Sequence, residues 1–206
     1  EIPDRDERFL HFIDHRYLFD TTRGYRYDNI TPDYSLVINN GLKELKYSEQ
    51  ETTNQFCEDY NRTIDAMIGL ASRVAKHEMK IDSDVGKIRS KWFSNIAEKP
   101  AQDFGEALQR ILFFDQMYWQ MGQRLMGLGH LDFILFPLYE KGIADGYITK
   151  ESVLEIIMDF IEALHEYCWL KSNMLIGDTG QIIILGGKID DGYCCNDLTY
   201  LFIEAI

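Results

Sequence analysis

Three groups of residues have the types and spacing that chemistry needs. Glu162-Ala-Leu-His165 sets a carboxylate and an imidazole one helical turn apart, the pairing used by di-iron bundles. Such sites need a second pair and two further carboxylates, and no second E-x-x-H occurs, so the spacing favours a solvated helix face over a metal site. Gly127-Leu-Gly129-His-Leu-Asp132 carries part of a dinucleotide-binding glycine loop. The full fingerprint follows a strand, opens a helix and ends on a third glycine, whereas a helical pattern precedes this run and Asp132 occupies the last position. Cys194-Cys195 is an adjacent thiol pair, readable as a redox or radical site or as two small residues near a helix start. No Ser/His/Asp or Cys/His nucleophile arrangement is assignable from spacing.

These residues must be positioned by a mostly helical chain. Thr31-Pro32 predicts a capped helix over 32–46. Over 49–79, Phe56, Tyr60, Ile64, Met67, Ala71 and Val74 recur every three or four residues and predict one apolar helix face. Residues 84–97 read as a weaker helix stopped by Pro100, and Asp103 to Met121 as a helix apolar on nearly all sides. Gly127 and Gly129 break that pattern, and a short helix follows from Leu131. Thr149 caps a long helix from Lys150 to about Leu170, with Val153, Ile157, Phe160, Leu164 and Cys168 on one face. Gln181–Gly187 is continuous, β-branched and bounded by glycine, so it reads as one buried strand with Gln181–Leu185 its clearest part. Asp191-Gly192 reads as a turn and the last helix starts near Asn196. A strand of this kind needs parallel neighbours, and the chain offers few, so its sheet is expected to lie mostly outside these residues.

Composition narrows the function classes. The 206 residues contain 34 Asp plus Glu against 21 Lys plus Arg, a net charge of −13 that phosphate backbones and anionic lipid repel. No nucleic acid and no membrane are expected among the partners. No apolar run approaches the roughly 18–20 residues of a membrane helix. Cys57, Cys168, Cys194 and Cys195 form neither a C-x-x-C metal pattern nor a small disulfide framework, which points to a reducing cytoplasm. The sequons at Asn29 and Asn61 imply nothing without a secretory context. With no linker or repeat, 1–206 reads as one segment, and its start on Glu1 suggests a piece of something longer.

Four stretches, in order, carry a resemblance to a known family. They are ITPDYSLVINNGLKELK (Ile30–Lys46), EKPAQDFGEALQRILF (Glu98–Phe113), GLGHLDFILFPLYEKGIADGYITKESVLEII (Gly127–Ile157) and IIILGGKIDDGYCCNDLTYLFIEAI (Ile182–Ile206). Together they resemble the glycyl radical enzymes of the pyruvate formate-lyase type, from about residue 28 to the end. The third is similar to that family's L-G-R-x-D-Q-Y segment and the fourth to its L-G-G and T-N-E-L-S segment. The resemblance implies a mainly α segment with few strands, the helical N-terminal portion of a ten-stranded β/α barrel supplying part of its first half.

It also implies chemistry. The family stores a radical on a C-terminal glycine, passes it to a barrel-centre cysteine, and the thiyl abstracts hydrogen from substrate. A separate iron–sulfur, S-adenosylmethionine-dependent activating enzyme installs the radical, and members are commonly homodimers. The family's R-V-x-G-[YF] loop does not occur here, and Cys194-Cys195 falls upstream of the thiyl position. The resemblance therefore implies no catalytic residue, no metal site and no cofactor in this chain, and no C-terminal glycyl radical domain. Substrate-side positions carry over to Asp28, Asn29, Arg124 and His130. His130 replaces the arginine of L-G-R and Phe133 the glutamine after it. Asp28-Asn29 stands where many dehydratase-type members have Gly-His, and Leu125 and Gly127 lie near their serines. The subfamily stays open between formate C-acetyltransferase and dehydratase or lyase types. Two other expectations stand beside it, a stand-alone helical interaction or regulatory module and a small helical enzyme using an Asp/Glu–His site.

Overall fold

The computed structural model describes residues 30–81, 83–120, 126–167, 181–189, 192–193 and 195–206. In chain order these form α1 (Tyr34–Asn39), a 3-10 turn (Leu42–Leu45), α2 (Gln55–Glu78), α3 (Asp84–Asn95), α4 (Phe104–Gln120) and β1 (Met126–His130). Then follow α5 (Leu131–Ile134), α6 (Phe136–Ala144), α7 (Lys150–Tyr167), β2 (Gln181–Ile184), β3 (Lys188–Ile189), β4 (Gly192–Tyr193) and α8 (Asp197–Ala205). Most described residues are helical, and among them no helix is long and apolar enough to cross a membrane.

Polar caps set the helix starts. Asn54 accepts from the Cys57 amide and Ser83 from the Gly86 amide, satisfying donors that a first turn leaves orphaned. Thr149 and Ser152 exchange backbone and side-chain bonds at the start of α7, as the Thr149 cap predicts. At α8 the box is complete: Thr199 N donates to Asn196 Oδ1, and Asn196 N to Thr199 Oγ1, each at 3.0 Å.

One core joins these helices. It runs from Tyr34 and Ile38 of α1 through Ile64 and Ala71 of α2 and Phe104 and Ile111 of α4 to Val153 and Ile157 of α7 and Leu198 and Phe202 of α8. α2 and α3 pack as a hairpin, α7 lies against α8, and α1 rests on α4. Ile64 is buried as its spacing predicts, but Phe56 is 68% exposed, so the apolar stripe of α2 begins deeper in the helix.

Three expectations are corrected. The helix predicted over 32–46 is broken at Gly41, because Leu42 and Lys43 donate to the carbonyls of Ile96 and Ala97 instead of continuing the α1 ladder. The chains approach so closely there that a Cβ on Gly41 would lie 2.6 Å from the Glu98 carbonyl carbon. Its cap is Asp33, which accepts from Ser35 N. Second, the glycine run at 126–130 is a strand, β1. Third, β2 is not buried in this chain, with Ile182 and Ile184 exposed, and it has one parallel neighbour here: Met126 pairs with Gln181, Gly127 with Ile182, Gly129 with Ile183 and His130 with Ile184, with a register shift between Gly127 and Gly129. The regular part of β2 ends at Ile184, and Gly186 and Gly187 turn away with φ of +60° and +102°, a region glycine enters without strain. β3 and β4 pair antiparallel across the predicted turn, of which Asp191 is outside the described residues.

Candidate functional site

The centre of the molecule is built on β1. Ile30 bridges in parallel to Met126, and Gly127 N donates to Ile30 O at 2.8 Å, so three segments run side by side. Gly127 permits this: a Cβ there would lie 2.2 Å from Thr31 Oγ1. The bulge and the positive φ of Gly129 turn the strand just before His130.

At the carboxyl end of β1, Asp132 is fully buried. Its Oδ2 accepts from Gly186 N at 2.7 Å and Thr199 Oγ1 at 2.6 Å, and its carbonyl accepts from Asn196 Nδ2 at 3.0 Å. One carboxylate thus fastens the β1–α5 corner, the glycine turn after β2 and the capping box of α8. Its other oxygen, Oδ1, is buried without a hydrogen-bond partner, and so is Nδ1 of half-buried His130. Two unmet polar atoms within three residues, at the carboxyl ends of parallel strands, mark a place where a donor or a ligand is owed.

The amino end of the strand pair is closed instead. Asp115 of α4 is fully buried, and with the Gln181 amide turned to suit its partners, Nε2 donates to Asp115 Oδ1 and Oε1 accepts from Trp119 Nε1, each at 2.9 Å.

Of the residues assigned to the substrate side, Asp28, Asn29 and Arg124 lie outside the described residues. Ile30 and Met126, which follow them in the chain, are bridged to each other at the amino end of β1. His130 stands four residues along, roughly 13 Å away at about 3.3 Å per residue. Glu162 and His165 are exposed on α7. Cys195 is exposed beside Gly186, and Cys194 lies outside the described residues.

Sequence reasoning missed Asp132, Asp115 and the pair Glu106–Arg110. The last is wholly buried: Arg110 donates to Glu106 Oε1 at 2.7 Å and to the carbonyls of Val37, Asn40 and Lys99 at 2.8–3.2 Å. Burial pulls the guanidinium below its ordinary pKa, with Glu106 opposing. Two of these had a signal, an acid in an otherwise apolar helix (Asp115) and an i,i+4 acid–base pair in E-A-L-Q-R, whereas Asp132 had none.

Comparison with known proteins agrees with this architecture. Residues 8–206 match the family model described as Pyruvate formate lyase-like. The isethionate sulfite-lyase of Oleidesulfovibrio alaskensis is 27% identical over 84% of this chain and 25% of its own length. The 4-hydroxyphenylacetate decarboxylase glycyl radical subunit of Clostridium scatologenes is 30% identical over 73% of this chain and 17% of its own. A glycyl radical enzyme from Archaeoglobus fulgidus superposes with a TM-score of 0.73 at 18% identity, covering 96% of this chain and 30% of that one. The B12-independent glycerol dehydratase of Clostridium butyricum gives 0.71 at 18% identity, covering 94% and 30%. This chain spans about a quarter of the length of the first of these curated relatives. With β1, β2 and the surrounding helices in the order the four sequence stretches imply, the chain belongs to the pyruvate formate lyase-like family.

Proposed function

We propose that the chain is the N-terminal barrel-forming part of a glycyl radical lyase or acyltransferase, inactive alone and cytoplasmic, which in the intact, homodimeric enzyme takes part in radical C–C or C–X cleavage of a small molecule in an anaerobe. The observation that carries this is the parallel β1–β2 pair, bridged by Ile30 and covered by helices on one face, whose other face leaves Ile182 and Ile184 exposed. That arrangement suits the opening strands of a larger β/α barrel. The glycyl radical, installed by an S-adenosylmethionine-dependent iron–sulfur activating enzyme, supplies the hydrogen-abstracting chemistry.

This chain's own residues hold and orient substrate. The Asn29 amide both donates and accepts, and so suits a hydroxyl or carbonyl. Arg124 suits a carboxylate, which its planar fork binds bidentately. Asp28 precedes Asn29 in the chain, and His130 presents at the carboxyl end of β1 a ring nitrogen without a partner among the described residues.

The parent reading frame is the test. The proposal expects it to continue into a cysteine loop and a C-terminal R-V-x-G-[YF], and the activated full-length protein to show a glycyl radical doublet in electron paramagnetic resonance. This chain alone, incubated with activating enzyme and S-adenosylmethionine, should show none. A second reading, a stand-alone helical interaction module derived from such an enzyme, draws on the single core that joins α1 to α8. A frame that stops near Ile206 would decide for it.

A further inference from the structure

Away from the strands, α1, α2 and α4 enclose a cavity of about 340 Å³. The cavity is open to solvent on one side, and its volume falls in the range of small-ligand sites. Its floor is apolar, with Leu42, Ile64 and Phe114 all buried. No lysine, arginine or histidine lines it, and its acid, Asp33, is already engaged in capping α1. The remaining polar character comes largely from two half-buried tyrosines, Tyr60 and Tyr118. Neither hydroxyl has a hydrogen-bond partner among the described residues, and both remain accessible to solvent. Burial pushes the pKa of both phenols up, Tyr47 adding to the effect at Tyr60 and Tyr60 to that at Tyr118, so both remain neutral donors across the physiological range.

An apolar cup with two accessible hydroxyl donors and, among the described residues, no free charge defines the chemistry of its occupant. We propose that this cavity binds a small uncharged molecule with a ring-sized apolar body and one hydroxyl or carbonyl oxygen, the oxygen meeting the hydroxyls of Tyr60 and Tyr118. Hydrophobic burial supplies the affinity and the tyrosines the orientation. The site lies on the helical side of the chain, among residues assigned no part in substrate binding, so it stands independently of the proposed reaction.

Methionine placement gives a direct test. Met67 and Met117 line the cavity, whereas Met79 and Met158 are exposed on other helix surfaces. Phenol is titrated into protein carrying 13C-methyl methionine, with toluene as the ring lacking the oxygen. Saturable shifts confined to Met67 and Met117 are expected, with toluene binding about tenfold more weakly, the fold-change of one lost hydrogen bond. The double variant Tyr60→Phe/Tyr118→Phe should keep the methyl spectrum of the folded protein and abolish phenol's advantage. No saturable shift at Met67 and Met117, equal shifts at all methionines, or a phenol preference that survives the double variant would each overturn the proposal.

Discussion

Arg110 and Asp132 are both charged and both buried, yet their surroundings differ in kind. Around Arg110, three backbone carbonyls and Glu106 take up the terminal guanidinium nitrogens, and Glu106 Oε2 in turn accepts from Asn95 Nδ2 and Gln102 N. Around Asp132, one oxygen is doubly bonded and the other has no partner. A buried ion pair closed by backbone acts as a fastener for the helices. A buried carboxylate held on one oxygen is more loosely tied, and it sits at the carboxyl end of β1. Each keeps one buried atom without a partner among the described residues, Nε of Arg110 and Oδ1 of Asp132, but four hydrogen bonds tie Arg110 into the helical layer and only two hold the Asp132 carboxylate.

The largest effect should come from breaking the Arg110 network. Arg110→Ala strands Glu106 and three carbonyls in the core, and a cost of about 3–5 kcal/mol is expected by urea denaturation. Ile64→Ala, in the same layer, should cost about 2–5 kcal/mol by the same measurement. Asp132→Ala removes the acceptor for Gly186 N and Thr199 Oγ1, at about 1–3 kcal/mol. Asp132→Asn keeps an acceptor and should cost less. If Asp132→Ala proved as costly as Arg110→Ala, the contrast between the two regions would be lost. Asn54→Ala, which removes only the cap of α2, should cost about 1 kcal/mol, read as a lowered Tm.

The smallest effect belongs to Lys150–Asp197, an exposed pair at 2.7 Å that links α7 to α8. The hydrogen bond to Asp197 raises the Lys150 pKa above the ordinary lysine value. A raised folded-state pKa means that its contribution is present below the unfolded lysine value, about 10.4, and is lost as pH climbs through the folded one. Lys150→Met should therefore differ from the parent least at alkaline pH and at high salt, measured by thermal melts.

The helical layer was the more legible in the sequence. The α2 and α7 stripes, the Thr149 cap, the helix start near Asn196 and the β2 isoleucines all act through neighbours close in the chain. What was hidden acts at long range. β1 has the sequence Met-Gly-Leu-Gly-His, without alternation and with two residues that disfavour strands; pairing with β2 and the approach of Thr31 make it one. The Gly41 break likewise depends on the chain at 96–99. Asp132 stood at the end of the glycine run, in the short helix read from Leu131, and nothing adjacent in sequence announces that Gly186 and Thr199 will donate to it. Phe56 had the right spacing but lies near the start of α2, beyond the reach of the helices that cover Ile64.

The pairing of Met126 with Gln181 also bears on how fast the chain folds. α2 and α3 adjoin in sequence and can collapse into a hairpin with little loop to close, whereas β1 must wait for a strand far along the chain, beyond α5, α6 and α7. Closing so wide a loop before its contacts are rewarded is slow. The helical hairpin should therefore gain amide-exchange protection early in refolding, and the Gly127 amide, held by Ile30, among the last.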